Sequence, residues 1–238
     1  MKRVLVTRPE PGAGRTAARL RERGFEPVVL PLSETRVLPV VLETRPETIS
    51  ALLVTSANAV RHAPADMLAQ LADLPCHVVG PKTADAARAA GLSVVETGSG
   101  DAGQLAEQIA PALAGKTAAY LCGRVRSADF EAYLAGKAVT VLPIETYDTL
   151  PVDYPGKVAA THLAGQPVAA VLLYSAKAAQ AYSTLVQRPE LARYFEETRV
   201  LALSVRVASA VSAGFPGRLV VATRPDEDAL LALLGTAE

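Results

Sequence analysis

The sequence contains no tryptophan, and aromatic residues of all kinds make up only 5% of its 238 residues. Half of the residues are nonetheless hydrophobic, so the predicted core is aliphatic, built from Val, Leu and Ala. No apolar run approaches the ~20 residues that a membrane-spanning helix needs, and the apolar stretch near the N-terminus is too short for a signal peptide. We therefore expect one large or two ordinary domains and no membrane segment.

Cysteine and histidine are also scarce. The two cysteines, Cys76 and Cys122, provide no disulfide framework, which favours a reducing, cytoplasmic location. The three histidines and these cysteines show no metal-ligand spacing, so we expect no metal site. Lys and Arg together number 24, as do Asp and Glu, so the overall charge does not point to nucleic acid as a partner.

Short apolar runs alternate with Ala-rich segments of helical period, which is the pattern of an α/β protein. The runs are continuously apolar rather than alternating, so we expect parallel strands that helices cover on both faces. Strands are predicted at residues 3–7, 27–30, 51–55, 77–80 and 93–96, and then at 118–121, 139–142, 169–174, 200–203 and 219–222.

The two sets of strands form a repeat. "VVLPL" (28–32) matches "TVLPI" (140–144), and "LLVTSANAV" (52–60) matches "VLLYSAKAA" (171–179). Ordered matches at drifting offsets indicate a duplication, and hence two α/β domains of about five strands each, divided near Gly115. Because parallel sheets bind ligands at the carboxyl ends of their strands, two such edges facing one another would form a cleft.

Each repeat delivers a serine from a strand to the start of a helix, Ser56 before Asn58 in one copy and Ser175 in the other. Such a serine caps the helix with its hydroxyl and leaves nearby N–H groups free to bind an anion. A nucleophile is not expected, because neither stretch has the glycines of a nucleophile elbow and no histidine has a partner in triad order. Anion binding and simple helix capping both stay open.

Other strand ends carry further residues that could bind anions. Helix starts offer free N–H groups, and arginine can make bidentate contacts to carboxylates. For arginines near the N-terminus, a solvated helix face is the simpler alternative. The recurring glycine, threonine and arginine residues are Gly80, Thr83, Gly123, Arg124, Arg126 and Arg8. Together they predict a multi-point acceptor for a large polyanion rather than a compact catalytic triad.

"GAGRTA" (12–17) fits the Gly-x-Gly-x-x-Ala pattern of dinucleotide-binding loops. In that fingerprint the first glycine ends the strand itself, whereas residues 8–11 separate this motif from its strand. No acidic residue closes the second predicted strand either. We expect a helix entry here, and an NAD-dependent oxidoreductase is the less favoured alternative function.

Several stretches, taken in order, carry a family resemblance: "VLVTRPEPGAGRTAARL", "LLVTSANAV", "VVGPKTADAARAAGLSVVE", "LCGRVRSADFEAYL", "VTVLPIETYDTLP" and "VLLYSAKAA". They resemble the uroporphyrinogen-III synthase family over nearly the whole chain. The resemblance implies two α/β domains joined by a two-stranded linker, with the active site in the cleft between them. Residues 1–35 and 150–238 would form one domain and residues 38–147 the other, with linker strands near 32–39 and 144–151.

The resemblance also implies a reaction. The family acts on hydroxymethylbilane, an open-chain tetrapyrrole rich in carboxylates, from which it eliminates the hydroxyl as water. It closes the macrocycle with the last pyrrole ring inverted, giving uroporphyrinogen III for haem biosynthesis, and it uses no cofactor. We accordingly expect a small-molecule substrate, no cofactor, no nucleic acid or membrane partner, and a cytoplasmic monomer. A transient contact with hydroxymethylbilane synthase fits the same pathway.

The resemblance assigns site residues as well. Tyr147 matches a tyrosine often proposed as the acid that assists departure of water, although packing of a linker strand is the alternative. Ser204 and Arg206 resemble a Ser-x-Arg pattern of bacterial members, whereas Val207 stands where the second copy would repeat the threonine Thr83. The predicted substrate-binding residues are Arg8, Ser56, Asn58, Gly80, Thr83, Gly123, Arg124, Ser175, Ser204 and Arg206. A two-domain protein that binds an anionic ligand without chemistry is the main alternative function.

Overall fold

The computed structural model describes residues 1–211 and 218–236. The chain divides into two compact units. The first unit comprises Met1–Glu34 and Leu150–Glu238, and the second comprises Thr35–Thr149.

The strands and helices alternate along the chain. The strands are β1 (Arg3–Val6), β2 (Glu26–Val29), β3 (Ser33–Val37), β4 (Ala51–Val54), β5 (Cys76–Val78), β6 (Val94–Thr97), β7 (Thr117–Gly123), β8 (Thr140–Pro151), β9 (Ala170–Leu173), β10 (Arg199–Ala202) and β11 (Leu219–Val221). The α-helices are α1 (Gly12–Glu22), α2 (Ala57–Arg61), α3 (Ala65–Gln70), α4 (Pro81–Ala89), α5 (Ala102–Leu113), α6 (Ala128–Gly136), α7 (Gly156–His162), α8 (Ala176–Val186), α9 (Pro189–Ala192), α10 (Val205–Ala208) and α11 (Glu227–Ala232).

The sheet of the first unit has the strand order β11-β10-β9-β1-β2, and its strand pairs are parallel. Successive side chains of β1 enter different core clusters: Leu5 packs with α7 and α8 on one face, and Val4 and Val6 pack with α1 and α11 on the other. Since both faces are buried, the successive positions Val4, Leu5 and Val6 of β1 are all apolar.

The sheet of the second unit has the strand order β3-β8-β7-β4-β5-β6. The pairs of β4 with β5 and β7, of β5 with β6 and of β7 with β8 are parallel. Leu52 packs with α2, α3 and α4 on one face, while Leu53 packs with α5 and α6 on the other. The predicted α/β class, with parallel sheets flanked by helices, is confirmed.

Each stretch that was predicted as a strand contains one, but the grouping of the strands follows a different order from the repeat. β1 and β2 share a sheet with β9, β10 and β11, and Gly115 lies in a turn inside the second unit. β8 is one strand from Thr140 to Pro151, where the apolar pattern predicted a strand at 139–142 and the family resemblance implied a linker strand near 144–151. In each parallel sheet, the carboxyl ends of neighbouring strands meet at one edge.

Candidate functional site

Ser56 follows β4 and caps helix α2. Its backbone is extended, and its Oγ accepts a hydrogen bond from the Asn58 N–H at 3.2 Å. The Asn58 side chain is also engaged locally, because its Oδ1 accepts from Arg61 Nη1 at 3.3 Å. The cap uses a lone pair of the Ser56 hydroxyl, so the hydroxyl proton can still be donated to a ligand.

Tyr147 on β8 reaches across the end of β7 to this cap. Its phenol donates a hydrogen bond to Ser56 Oγ at 3.2 Å. Its ring packs against Gly123, where a Cβ atom would lie 2.7 Å from Tyr147 Cζ and 3.0 Å from the phenol oxygen. The main chain closes the same contact, since the Arg124 N–H donates to Tyr147 O at 2.8 Å. Ser56, Gly123 and Tyr147, which the sequence places far apart, therefore meet.

Thr146 helps to hold this arrangement. The sequence analysis did not predict a role for it. The register of β7 with β8 shifts next to Gly123, and the shift passes over Thr146. Its side chain is fully buried, and its Oγ1 donates to Ala59 O at 2.8 Å. This hydrogen bond ties β8 to α2, the helix that Ser56 caps. A single threonine inside a strand gives no sequence signal for such a contact, because threonine is common in strands.

His62, which has no predicted role, also lies beside Tyr147. The two ring centroids are 5.9 Å apart. Burial lowers the pKa of His62, and the neighbouring charge of Arg61 lowers it further. The imidazole is therefore neutral at neutral pH and contributes a polar but uncharged neighbour to the phenol.

Arg124, predicted to bind carboxylates, already contacts two of them. Its Nε lies 3.1 Å from Glu145 Oε2, and its Nη1 lies 3.8 Å from Asp148 Oδ2. The side chain is 55% exposed, so a ligand can still reach it. A substrate carboxylate would have to share this guanidinium with Glu145.

Gly80 and Thr83 lie at the start of α4, where glycine allows close packing. A Cβ at Gly80 would lie 3.2 Å from Gly100 Cα in the loop that follows β6. Thr83 is buried, and its N–H donates to Gly80 O at 3.0 Å. Pro81 has no N–H, which further reduces the first-turn donors available to an anion. Within the described part of the chain, no hydrogen bond joins Gly80 or Thr83 to Tyr147.

In the first unit, Ser175 and Ser204 follow the neighbouring strands β9 and β10, and each caps a helix. Ser175 Oγ accepts from the Ala178 N–H at 3.1 Å, and Ser204 Oγ accepts from the Val207 N–H at 3.4 Å. Arg206 is exposed on α10. Val207 is buried in the core, so the position at which the second copy would repeat Thr83 contributes to packing instead.

Arg8 follows β1 at the same edge and is held by Glu227 of α11. Its guanidinium stacks 4.4 Å from the centroid of the Tyr174 ring, and its Nη1 donates to Glu227 Oε1 at 3.2 Å. Glu227 also accepts hydrogen bonds from Thr16 and Tyr174 and pairs with Arg19. Arg8 is thus partly neutralised within its own unit.

The glycines of "GAGRTA" belong to a helix start. α1 begins at Gly12, and residues 7–11 separate it from β1. A Cβ at Gly12 would lie 2.4 Å from Arg8 Nε, so glycine leaves room for the Arg8 side chain. The motif is explained by this packing.

Comparison with known proteins now adds to the geometry. A family model described as uroporphyrinogen-III synthase HemD matches residues 14–232. The chain belongs to this family. The uroporphyrinogen-III synthetase of Helicobacter pylori is 18% identical with a TM-score of 0.68, covering 98% of this chain and 98% of that chain. A mutant uroporphyrinogen III synthase of Thermus thermophilus is 20% identical with a TM-score of 0.61, covering 99% of this chain and 97% of that chain.

The two solved structures support the fold, and the family model supports the activity. The resemblance to uroporphyrinogen-III synthases is confirmed, and with it the prediction of a cyclising lyase of tetrapyrrole biosynthesis. A search of curated proteins found no significant match. The family implies a small-molecule substrate, hydroxymethylbilane.

Two features are absent from residues 1–211 and 218–236. No helix there is long and apolar enough to cross a membrane, and no group of three or more His, Cys, Asp and Glu residues could hold a metal ion. Cys76 and Cys122 are free and buried, and burial raises the pKa of each thiol to about 12. Both thiols are therefore protonated at neutral pH and behave as small buried side chains.

Glu227 makes the stability of the first unit depend on pH. Burial by itself would raise its pKa, but hydrogen bonds from Thr16 and Tyr174 and the charges of Arg8 and Arg19 outweigh it and lower the pKa. A carboxylate with a lowered pKa stabilises the fold above its unfolded pKa of ~4.3, and the stabilisation is lost as pH falls through the folded pKa.

We expect Glu227→Gln to lower the free energy of unfolding at neutral pH by about 1.5–3 kcal/mol, the range for hydrogen bonds to a charged group. The difference from the parent should shrink as pH falls from ~4.3, where the carboxyl group of the unfolded chain takes up a proton, through the lower pKa of Glu227 in the folded chain. Urea denaturation of both proteins over a pH series measures it. A difference that is independent of pH would show that the charge of Glu227 does not stabilise the fold.

Proposed function

We propose that this chain closes hydroxymethylbilane to uroporphyrinogen III with loss of water, and that Tyr147 donates the proton to the departing hydroxyl. The family match over residues 14–232 is the observation that carries the reaction. The hydrogen bond from the Tyr147 phenol to Ser56 supports the assignment of Tyr147, because the phenol acts as a donor at the carboxyl ends of the strands.

The proposed chemistry balances without a cofactor. The carbon–oxygen bond of the hydroxymethyl group breaks, and the hydroxyl takes the phenol proton and leaves as water. The cationic carbon that remains is attacked by the substituted α-carbon of the terminal ring, which gives a spiro intermediate. The bond from this ring carbon to its original methylene bridge then breaks, and the methylene carbon bonds to the free α-carbon of the same ring, which is thereby inverted. Aromatisation then releases a proton that restores the phenol, so no electrons are exchanged with any cofactor.

Positioning carries a large part of this catalysis. General acid catalysis contributes typically ~10²–10⁴-fold, whereas enzymes accelerate reactions by ~10⁶-fold or more, so the proton donor alone cannot supply the whole acceleration. The linear substrate also cyclises by itself to the wrong isomer, so the enzyme must hold its chain in the geometry that inverts the last ring. Binding the substrate's many carboxylates at several points is how a protein can impose such a geometry.

The carboxylate contacts are proposed at the strand ends of each unit. Serine caps retain a hydroxyl proton, helix starts favour negative charge, and exposed guanidinium groups attract it. In the first unit we propose Arg8, Ser175, Ser204 and Arg206. In the second unit we propose Ser56, Asn58, Gly80, Thr83, Gly123 and Arg124. Arg206 needs no rearrangement because it is exposed, whereas Arg8 and Arg124 must share their charge with Glu227 and Glu145.

We also propose that the protein acts as a cytoplasmic monomer and receives its substrate during transient contact with hydroxymethylbilane synthase. The instability of the linear substrate supports a short transfer. Sedimentation of the protein alone tests whether it is a monomer, and sedimentation with hydroxymethylbilane synthase tests the contact.

The deciding experiment is a coupled assay. Porphobilinogen and hydroxymethylbilane synthase generate the substrate, this protein is added, and the oxidised products are separated as type I and type III isomers. The type III isomer should predominate with the protein and the type I isomer without it. A protein that binds hydroxymethylbilane but leaves type I as the product would be a binding protein without this activity.

Ser175 is a better position than Ser56 at which to test the carboxylate contacts. Ser56 also accepts a hydrogen bond from Tyr147, so its substitution would disturb the proton donor as well. Ser175→Ala should lower the free energy of unfolding by about 1 kcal/mol through loss of the cap. It should raise KM by roughly 10- to 150-fold and change kcat much less, since a hydrogen bond to a charged group contributes about 1.5–3 kcal/mol.

Ser175→Asp is the matched variant. Aspartate can cap α8, so stability should return towards that of the parent, while its charge repels carboxylates and should raise KM further than alanine does. Stability measurements and steady-state kinetics on the two variants separate the roles. If KM stays at the parent value in both, Ser175 is a helix cap and no more.

A further inference from the structure

A set of ion pairs surrounds the turn that follows β7. It consists of Arg124, Arg126, Glu131, Glu145 and Asp148, and is called the Arg126 cluster below. Arg126 is more enclosed than Arg124, with 20% of its side chain exposed against 55%. The acidic members come from α6 and β8, so the cluster joins three segments of the second unit.

Arg126 binds carboxylates from two elements and carbonyl groups of its own turn. Its Nε donates to Glu131 Oε1 on α6 at 2.6 Å, and its Nη1 donates to Glu145 Oε1 on β8 at 2.8 Å. Nη1 also lies 3.3 Å from Gly123 O and 3.2 Å from Arg124 O. Because a guanidinium is a rigid fork of donors, one side chain fixes the turn, the helix and the strand together.

The turn held in this way is the one that contacts Tyr147. Gly123 packs directly against the phenol ring, and the Arg124 N–H donates to Tyr147 O. Glu145 precedes Tyr147 by two residues on β8, and Asp148 follows it immediately and pairs with Arg124. The Arg126 cluster therefore restrains the strand on both sides of Tyr147 as well as the surface against which its ring lies.

Arg126 and Glu145 each favour their charged form in the cluster. The hydrogen bond to Glu131 raises the pKa of Arg126 despite its burial. Hydrogen bonds from Arg126 and then Arg124 lower the pKa of Glu145. The ion pair between Arg126 and Glu145 is thus intact at neutral pH, and charge-assisted hydrogen bonds of this kind are about twice as strong as those between neutral groups.

We propose that Arg126 is a positioning residue for the reaction. It holds the turn at Gly123 so that the Tyr147 phenol stays directed at the leaving hydroxyl, and it does so without touching the substrate. The inference rests on the proposed function, because it requires Tyr147 to be the proton donor. It goes beyond that function by assigning the geometry of the donor to one mostly buried guanidinium.

A double-mutant cycle between Arg126→Gln and Tyr147→Phe tests the proposal. In the parent, Arg126→Gln should lower kcat by roughly 10- to 100-fold, since a misplacement of ~1 Å can cost ~10²-fold, while KM changes by less than about three-fold. In the Tyr147→Phe background, the same change should lower kcat by less than about three-fold, because the group that Arg126 positions is absent. Arg126→Lys should recover only part of the loss, since an ammonium lacks the planar fork.

Arg88→Gln is the matched control, because Arg88 belongs to the same unit and makes an exposed pair with Asp85 at 4.0 Å. It should leave kcat unchanged in both backgrounds. Equal losses from Arg126→Gln with and without the phenol would overturn the proposal, as would a rise in KM at unchanged kcat. If Tyr147→Phe alone leaves kcat unchanged, the assignment of Tyr147 in the proposed function fails instead.

Stability is checked by thermal denaturation of every variant, and kinetics are measured well below the transition. Should Arg126→Gln not fold, Glu131→Gln replaces it in the cycle, because it removes one charge from the cluster and keeps the guanidinium. A loss of kcat that depends on the Tyr147 phenol then supports the positioning role, and a loss that does not depend on it overturns that role.

Discussion

Tyr147→Phe should lower kcat by about 10²–10⁴-fold, the usual contribution of general acid catalysis. Phenylalanine keeps the ring that packs against Gly123 and lies beside His62, and it removes only the hydroxyl that donates to Ser56. The free energy of unfolding should therefore change little. Some activity should persist, because the binding geometry and the reactivity of the substrate remain.

The product isomers of Tyr147→Phe add a second readout. The residual product should still be mainly type III if the closure geometry, rather than the proton donor, dictates ring inversion. A switch toward type I would mean that Tyr147 positions the terminal ring. If neither the rate nor the isomer ratio changes, the role of Tyr147 is only to pack on β8.

Tyr133→Phe is the control for the loss of a phenol in the same unit. Tyr133 lies on α6 with 38% of its surface exposed. Its substitution should leave both kcat and the isomer ratio at the parent values.

Gly123→Ala should reduce kcat strongly with a small effect on stability. The added methyl group would lie 2.7 Å from Tyr147 Cζ and 3.0 Å from the phenol oxygen, which is too close for both to stay in place. The atoms in conflict are at the far end of a half-buried side chain, so the ring can move away at modest cost. A displaced phenol loses its alignment, and a shift of ~1 Å can cost ~10²-fold in rate.

Gly136→Ala is the matched control, because Gly136 lies on α6 and a Cβ there would meet nothing within 4 Å. It should leave kcat unchanged and slightly raise the free energy of unfolding, since alanine favours helix more than glycine does by about 1 kcal/mol. Steady-state kinetics and urea denaturation compare the two variants. A Gly123→Ala enzyme with the parent kcat would show that the position of the Tyr147 ring does not matter.

The sequence determines the local elements of this protein. Continuous apolar runs such as residues 4–6 in β1 and Ala51–Val54 in β4 can be buried only when a strand is covered on both faces, which is why they predicted parallel sheets with helices. Ser56 and Ser175 are helix caps because a serine between a strand and a helical segment meets the first-turn N–H groups by local geometry alone. These outcomes depend on neighbours within a few residues, and the sequence contains that information.

The tertiary structure decides which elements share a sheet and which side chains meet. The internal repeat by itself indicated a division near Gly115, because similarity between segments does not specify which strands pair. Arg8 and Glu227 are 219 residues apart, and the Tyr147 phenol and Ser56 are 91 residues apart. The need for glycine at position 123 arises only when a ring from another strand occupies the space of a side chain. Contacts of this kind depend on packing across the whole unit, so the sequence supplies the residues and only the folded chain brings them together.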